Sequence, residues 1–180
     1  SAYKKAIEYM PNSPVPHEFY SFCLYIFGHD EESKNSLENA YEIVPELPLA
    51  GLVEARYAHK NGDFKKAEKL YKRSENIFKG LSETLELLSL FSRGVLYAEN
   101  DDIAKANNII NDIKKLDGAT GSYCLRGGIH LYLGELDEGF SLIEEGIKKN
   151  SPYYFLNVDP LFKKFQSNPQ FIKILKSYGL

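Results

Sequence analysis

Polar turns interrupt the apolar helical stretches of this chain at regular intervals. The segment Asn61-Gly62-Asp63-Phe64-Lys65-Lys66-Ala67 has counterparts in Asn100-Asp101-Asp102-Ile103-Ala104-Lys105-Ala106 and in Leu133-Gly134-Glu135-Leu136-Asp137-Glu138-Gly139. Each is a polar turn, an apolar residue, two mostly polar residues and a small one. Each follows one apolar helical segment and precedes another. The pattern predicts helix, tight turn, helix, recurring along the chain. Aligned on Gly28, Gly62, Asp101 and Gly134, the repeats start at Pro14, Pro48, Leu87 and Thr120, with offsets of 34, 39 and 33 residues.

Small residues fall in register with these turns. Seven residues before each turn residue stand Ser21, Ala55, Gly94 and Gly127; five after it stand Ser33, Ala67, Ala106 and Gly139. A further small residue follows in three repeats, at Ala40, Ser74 and Gly146, with Ile113 in the fourth. Large residues stand between, at Leu37, Tyr71, Ile110 and Ile143. Two helices cross closely only where side chains are short, so each small pair predicts a contact inside a hairpin. The longer second offset places about five extra residues between Ser74 and Leu87, expected as a longer second helix or a wider turn.

This pattern resembles the tetratricopeptide repeat, a helical hairpin of about 34 residues. The resemblance implies an all-α superhelix of antiparallel helical hairpins with a C-terminal helical cap. Residues 1–13 are expected to be the second helix of a preceding repeat, because Tyr3, Ala6 and Pro11 fit its spacing. Four repeats follow at 14–47, 48–86, 87–119 and 120–152, and a cap at 153–180. The chain thus reads as a fragment of a longer protein. In the tail, Asp159-Pro160 and Asn168-Pro169 each read as a helix cap followed by proline at the first helical position. They predict short helices at about 160–166 and 169–178, closed by Gly179. Asp159, Pro160, Phe162, Pro169, Phe171, Leu175, Gly179 and Leu180 are similar to the ending of tetratricopeptide regions in bacterial signalling and transcription-regulator proteins.

Composition strengthens the helical reading. There are 22 Leu and 13 Ile but only five Val and two Thr, whereas sheets favour β-branched residues. At 43% apolar and 26% charged residues, the chain is globular in type. A net charge of −3 speaks against a broad basic footprint and hence against nucleic-acid contact by this region. No run of 18 apolar residues is present, so no membrane contact is expected.

The chemistry-bearing residues are sparse. Cys23 and Cys124 are far apart in sequence and are expected as free thiols in a reducing compartment, with a cytoplasmic location. His17, His29, His59 and His130 lack metal-ligand spacing. No phosphate-binding glycine loop, nucleophile elbow or catalytic constellation occurs. Lys65, Lys66, Lys69, Lys72 and Arg73 form a basic run expected to be a solvated helix face. No catalytic residue, cofactor or metal is assigned.

The resemblance also implies a ligand groove lined by the first helix of each repeat. Phe22, Tyr25, Arg56, His59, Phe91 and Tyr132 are the candidates, with Arg56 and His59 one turn apart. Glu18 and Phe22 stand where chaperone-binding members carry the Lys and Asn of a carboxylate clamp, so that clamp is not expected. The implied function is recognition of a protein or peptide, as the sensor or scaffold segment of a larger bacterial regulatory protein; an upstream domain of the same chain is another candidate partner. The alternative is a small molecule or second messenger bound in the groove to control a linked effector.

Overall fold

The computed structural model describes residues 2–116 and 118–179. Ser1 and Leu180, the last residue of the tail signature, lie outside the described residues. Among those described, regular structure is entirely helical. The chain forms two compact units, residues 1–77 and 78–180.

The first unit contains α1 (Ala2–Tyr9), α2 (Pro14–Ile26), α3 (Asp30–Ile43), α4 (Pro48–Lys60) and nearly all of α5 (Phe64–Phe78). The prolines at 14 and 48 occupy the first turns of α2 and α4, where the missing N–H removes no helical hydrogen bond. Two hairpins, α2–α3 and α4–α5, turn at Gly28 and Gly62, both with positive φ (78° and 80°). In each turn the glycine N–H reaches back three residues and the next N–H five, as in His29 N to Leu24 O at 2.8 Å and Asp63 N to Ala58 O at 2.9 Å. This reciprocal cap satisfies the last carbonyls of the leading helix.

The small pairs meet across the hairpins. Ser21 Oγ donates to the Ser33 carbonyl and Ser33 Oγ to the Ser21 carbonyl, both at 2.9 Å. Ala55 and Ala67 are wholly buried. Leu49, Leu52, Val53 and Tyr71 complete the interior, each worth roughly 1.5–3 kcal/mol of transfer free energy if fully buried.

The second unit contains α6 (Glu83–Glu99), α7 (Ile103–Lys114), α8 (Ser122–Tyr132), α9 (Leu136–Lys148), a 3-10 helix (Pro160–Phe165) and α10 (Pro169–Tyr178). The α6–α7 and α8–α9 hairpins repeat the turn, at Asp101 (φ 56°) and Gly134 (φ 83°). Of the extra residues of the second offset, one lengthens α5, which has 15 residues against 14 in α3. The others start α6 four residues ahead of Leu87, behind a Ser82 cap whose side chain accepts from Leu85 N.

Gly127 and Gly139 face each other so closely that a Cβ on Gly127 would lie 2.5 Å from the Gly139 carbonyl oxygen. The tail folds back onto this unit. Phe162 stacks between Phe91 and Phe171, with ring centroids at 5.3 and 6.2 Å. Its ring also lies against Gly128, where a Cβ would come within 2.7 Å. Asp159 is buried, accepting from Leu161 N at 2.9 Å and from Tyr153 Oη at 2.6 Å. Asn168 accepts from Gln170 N and Phe171 N, and Gly179 closes α10 in the left-handed region.

Candidate functional site

The six groove candidates are interior or covered side chains. In the first unit Phe22, Tyr25, Arg56 and His59 are all buried, Arg56 to 1% exposure. The Arg56 guanidinium lies over the Phe22 and Tyr25 rings, at 5.8 and 5.6 Å. His59 Nδ1 is 3.3 Å from Tyr71 Oη, and its ring meets Phe64 and Tyr71 edge-on. As folded, Arg56 and His59 therefore do not present one polar face to a ligand.

In the second unit Phe91 is wholly buried beneath Phe162. Half-buried Tyr132 donates to the Leu161 carbonyl at 2.7 Å and packs edge-on against Phe165. Lys164 Nζ sits 3.6 Å from the Tyr132 ring centroid, and burial lowers its pKa. The tail thus occupies the surface that Phe91 and Tyr132 would offer a ligand. Helical periodicity separates inside from outside, but cannot tell a side chain facing an open groove from one facing the next helix.

An open concavity lies elsewhere in the first unit. A cleft of about 290 Å³ is bounded by the C-terminal halves of α3 and α5 and by the connection into α4. Pro45 and Pro48 bracket that connection, and Pro48 holds the preceding Leu47 extended (φ −120°, ψ 131°). Leu47, Leu70 and Ile77 give the cleft apolar walls, with Gly51 and Ser74 between them. Ser74 Oγ donates to the Pro48 carbonyl at 2.9 Å, tying α5 to the start of α4.

Charge rims this cleft. Arg73 pairs with Glu46 at 2.7 Å and Lys66 with Glu54 at 2.8 Å. Tyr41 Oη donates to the other Glu54 oxygen at 2.9 Å. Burial, reinforced by that carboxylate, raises the Tyr41 pKa well above its ordinary value, so the phenol stays a proton donor. Glu54 is thereby held between Lys66 and Tyr41. Behind the cleft, the buried Glu18 carboxylate accepts from Ala50 N at 3.2 Å, at the positive end of α4.

The sequence pattern did not single out Tyr41, Glu46, Leu47, Leu70 or Ile77. The Pro45-Glu46-Leu47-Pro48 connection was the available signal, since two prolines three apart hold a segment extended. Arg73 belonged to the basic run, of which Lys66, Lys72 and Arg73 make exposed ion pairs with Glu54, Glu68 and Glu46. Cys23 and Cys124 are free cysteines. Among the described residues no group of three or more His, Cys, Asp or Glu side chains could hold a metal ion, and no helix is long and apolar enough to cross a membrane. Comparison with protein-family models, curated proteins and solved structures returns no match.

Proposed function

We propose that this chain is a tetratricopeptide-type recognition module that binds a protein or peptide through the face carrying α3 and α5. We read it as a non-enzymatic sensor or scaffold segment of a larger bacterial regulatory protein acting in the cytoplasm. The observation that carries this reading is the open cleft between the two helices, with apolar walls and a rim of paired charges. At about 290 Å³ it is at the lower bound of small-molecule pockets, which run from about 300 to 1,000 Å³. It suits one anchoring apolar side chain of a larger partner, while the rim fixes orientation.

Peptide display against the intact chain tests this. Selected peptides should share an apolar anchor and shift the amide resonances of residues 45–51 and 70–77. Ile77→Asp, at a position already 37% exposed, should abolish binding while leaving the circular dichroism spectrum unchanged. Peptides that bind this variant as tightly as the wild type, without moving those resonances, would overturn the assignment.

A further inference from the structure

We infer that the partner of the α3/α5 face is a second copy of this chain, docked so that α3 of each copy lies on α5 of the other; this rests on the face being a recognition surface. The argument begins with charge. Helix α3 carries Asp30, Glu31, Glu32, Glu38 and Glu42 against the single cation Lys34. Helix α5 carries Lys65, Lys66, Lys69, Lys72 and Arg73 against Glu68 and Glu75.

The two helices hold equivalent places in their hairpins, since α2 starts at Pro14 and α4 at Pro48. At equivalent exposed positions the sign inverts: Glu31 corresponds to Lys65, Glu32 to Lys66 and Glu38 to Lys72. Among the described residues, Glu38, Glu42, Lys65 and Lys69 take part in no salt bridge. Each helix therefore presents charge that its own chain leaves unneutralised.

Geometry selects the mode of docking. The cleft brings residues 41–46 of the α3 end level with residues 70–77 of α5, so both helices run in the same direction. A two-fold axis between them, parallel to both, places α3 of one copy over α5 of the other, at the level where Glu46 meets Arg73 within one chain. That sets Glu38 among the second copy's Lys65 and Lys69, and Glu42 beside its Lys69, the charges that each chain leaves unneutralised. It also closes the two apolar clefts against each other. An axis perpendicular to the helices would set α3 on α3 and α5 on α5, like charge on like charge. Isologous interfaces of the first kind are self-complementary.

The size of the face sets the expected strength. A 14-residue helix is about 21 Å long. Two helices about 10 Å apart offer roughly 400 Å² per copy. The buried total of about 800 Å² is below the roughly 1,200–2,000 Å² of tight complexes. The association should thus be weak, led by electrostatics and sensitive to salt.

Sedimentation velocity on the intact chain provides the test. At about 0.1 mM protein and about 0.05 M salt the wild type should dimerise, and at about 0.5 M salt it should dissociate. Lys65→Glu with Lys69→Glu should be monomeric, and so should Glu38→Lys with Glu42→Lys. An equimolar mixture of the two variants should regain the dimer. Carbodiimide cross-linking of mixed isotope-labelled wild-type copies should join Glu38 of one copy to Lys65 or Lys69 of the other, a readout that needs no variant. A wild type monomeric at low salt, reversals without effect, or a mixture that stays monomeric would each overturn the inference. If the wild type is monomeric while selected peptides still bind the cleft and lose binding in Ile77→Asp, only the identity of the partner has failed.

Discussion

Small side chains decide where the helices of each hairpin can approach. Ser21 with Ser33, Ala55 with Ala67, Gly94 with Ala106, and Gly127 with Gly139 are all buried, and their spacing made them legible before any coordinates. A short residue at a fixed distance on either side of a turn has few purposes other than contact. The tightest case gives a prediction. In Gly127→Ala the new methyl would meet the Gly139 carbonyl oxygen at 2.5 Å and Ile143 at 2.9 Å. Alanine gains about 1 kcal/mol of helix propensity over glycine, while overpacking typically costs about 1–3 kcal/mol. Backbone cannot step aside as a side-chain tip can, so overpacking should win, for a net loss of up to about 2 kcal/mol. Urea titration should show a lower midpoint at unchanged slope. Residue type was less informative for the proposed groove. Phe22, Tyr25 and Arg56 are as well explained by an interior cation over aromatic rings as by a ligand surface, and only their burial separates the two.

At the scale of elements, sequence placed the starts of α2 and α4 at their prolines and anticipated both tail helices. It misassigned most of the extra residues of the third hairpin, because a Ser82 cap followed by Glu83 begins α6 early, and acidic first-turn residues suit a helix start. It also gave no hint that α2 reaches across to cap α4, a tertiary contact without local pattern. Glu18 makes that contact from a buried position, and burial raises its pKa despite the Ala50 and Leu49 N–H groups that favour the charge. The native state thus holds the Glu18 proton more tightly than the unfolded chain does. Its ionisation then works against folding as pH rises from the ordinary glutamate range, near about 4.3, through the raised value. Glu18→Gln keeps an acceptor for Ala50 N and removes the charge. Urea midpoints measured across that range should fall for the wild type relative to the variant as pH increases. A parallel pH dependence of the two proteins would show that Glu18 ionises as freely when folded as when unfolded.

For the molecule as a whole, sequence predicted repeating hairpins and a tail of different character, and left open whether the ligand groove is filled by the chain itself. Within residues 78–180 it is. Phe91 and Tyr132, assigned to a groove from their helix-A positions, are what the tail covers through Phe162, Phe165 and the Leu161 carbonyl. A hairpin stack must cover its terminal apolar surface, and here the chain supplies the cover itself, fixed by the buried Asp159 and its bonds from Tyr153 and Leu161. Removing residues 156–180 strips Leu156, Phe162, Phe165, Phe171 and Ile174 from the interior, all buried in the intact chain. At roughly 1.5–3 kcal/mol each, this loss rivals the stability of about 5–15 kcal/mol typical of a whole domain. Truncation should therefore expose Phe91, Gly128 and Phe140, bind a hydrophobic dye and erase amide-exchange protection in α8 and α9. The milder Asp159→Asn tests the latch without deleting it: it leaves one oxygen for Leu161 N and replaces the other by a poorer partner for Tyr153 Oη, so it should lower the melting temperature by a few degrees. A truncated chain that stays monomeric, ignores the dye and keeps α8 and α9 protected would mean that the tail only decorates a second unit already closed without it.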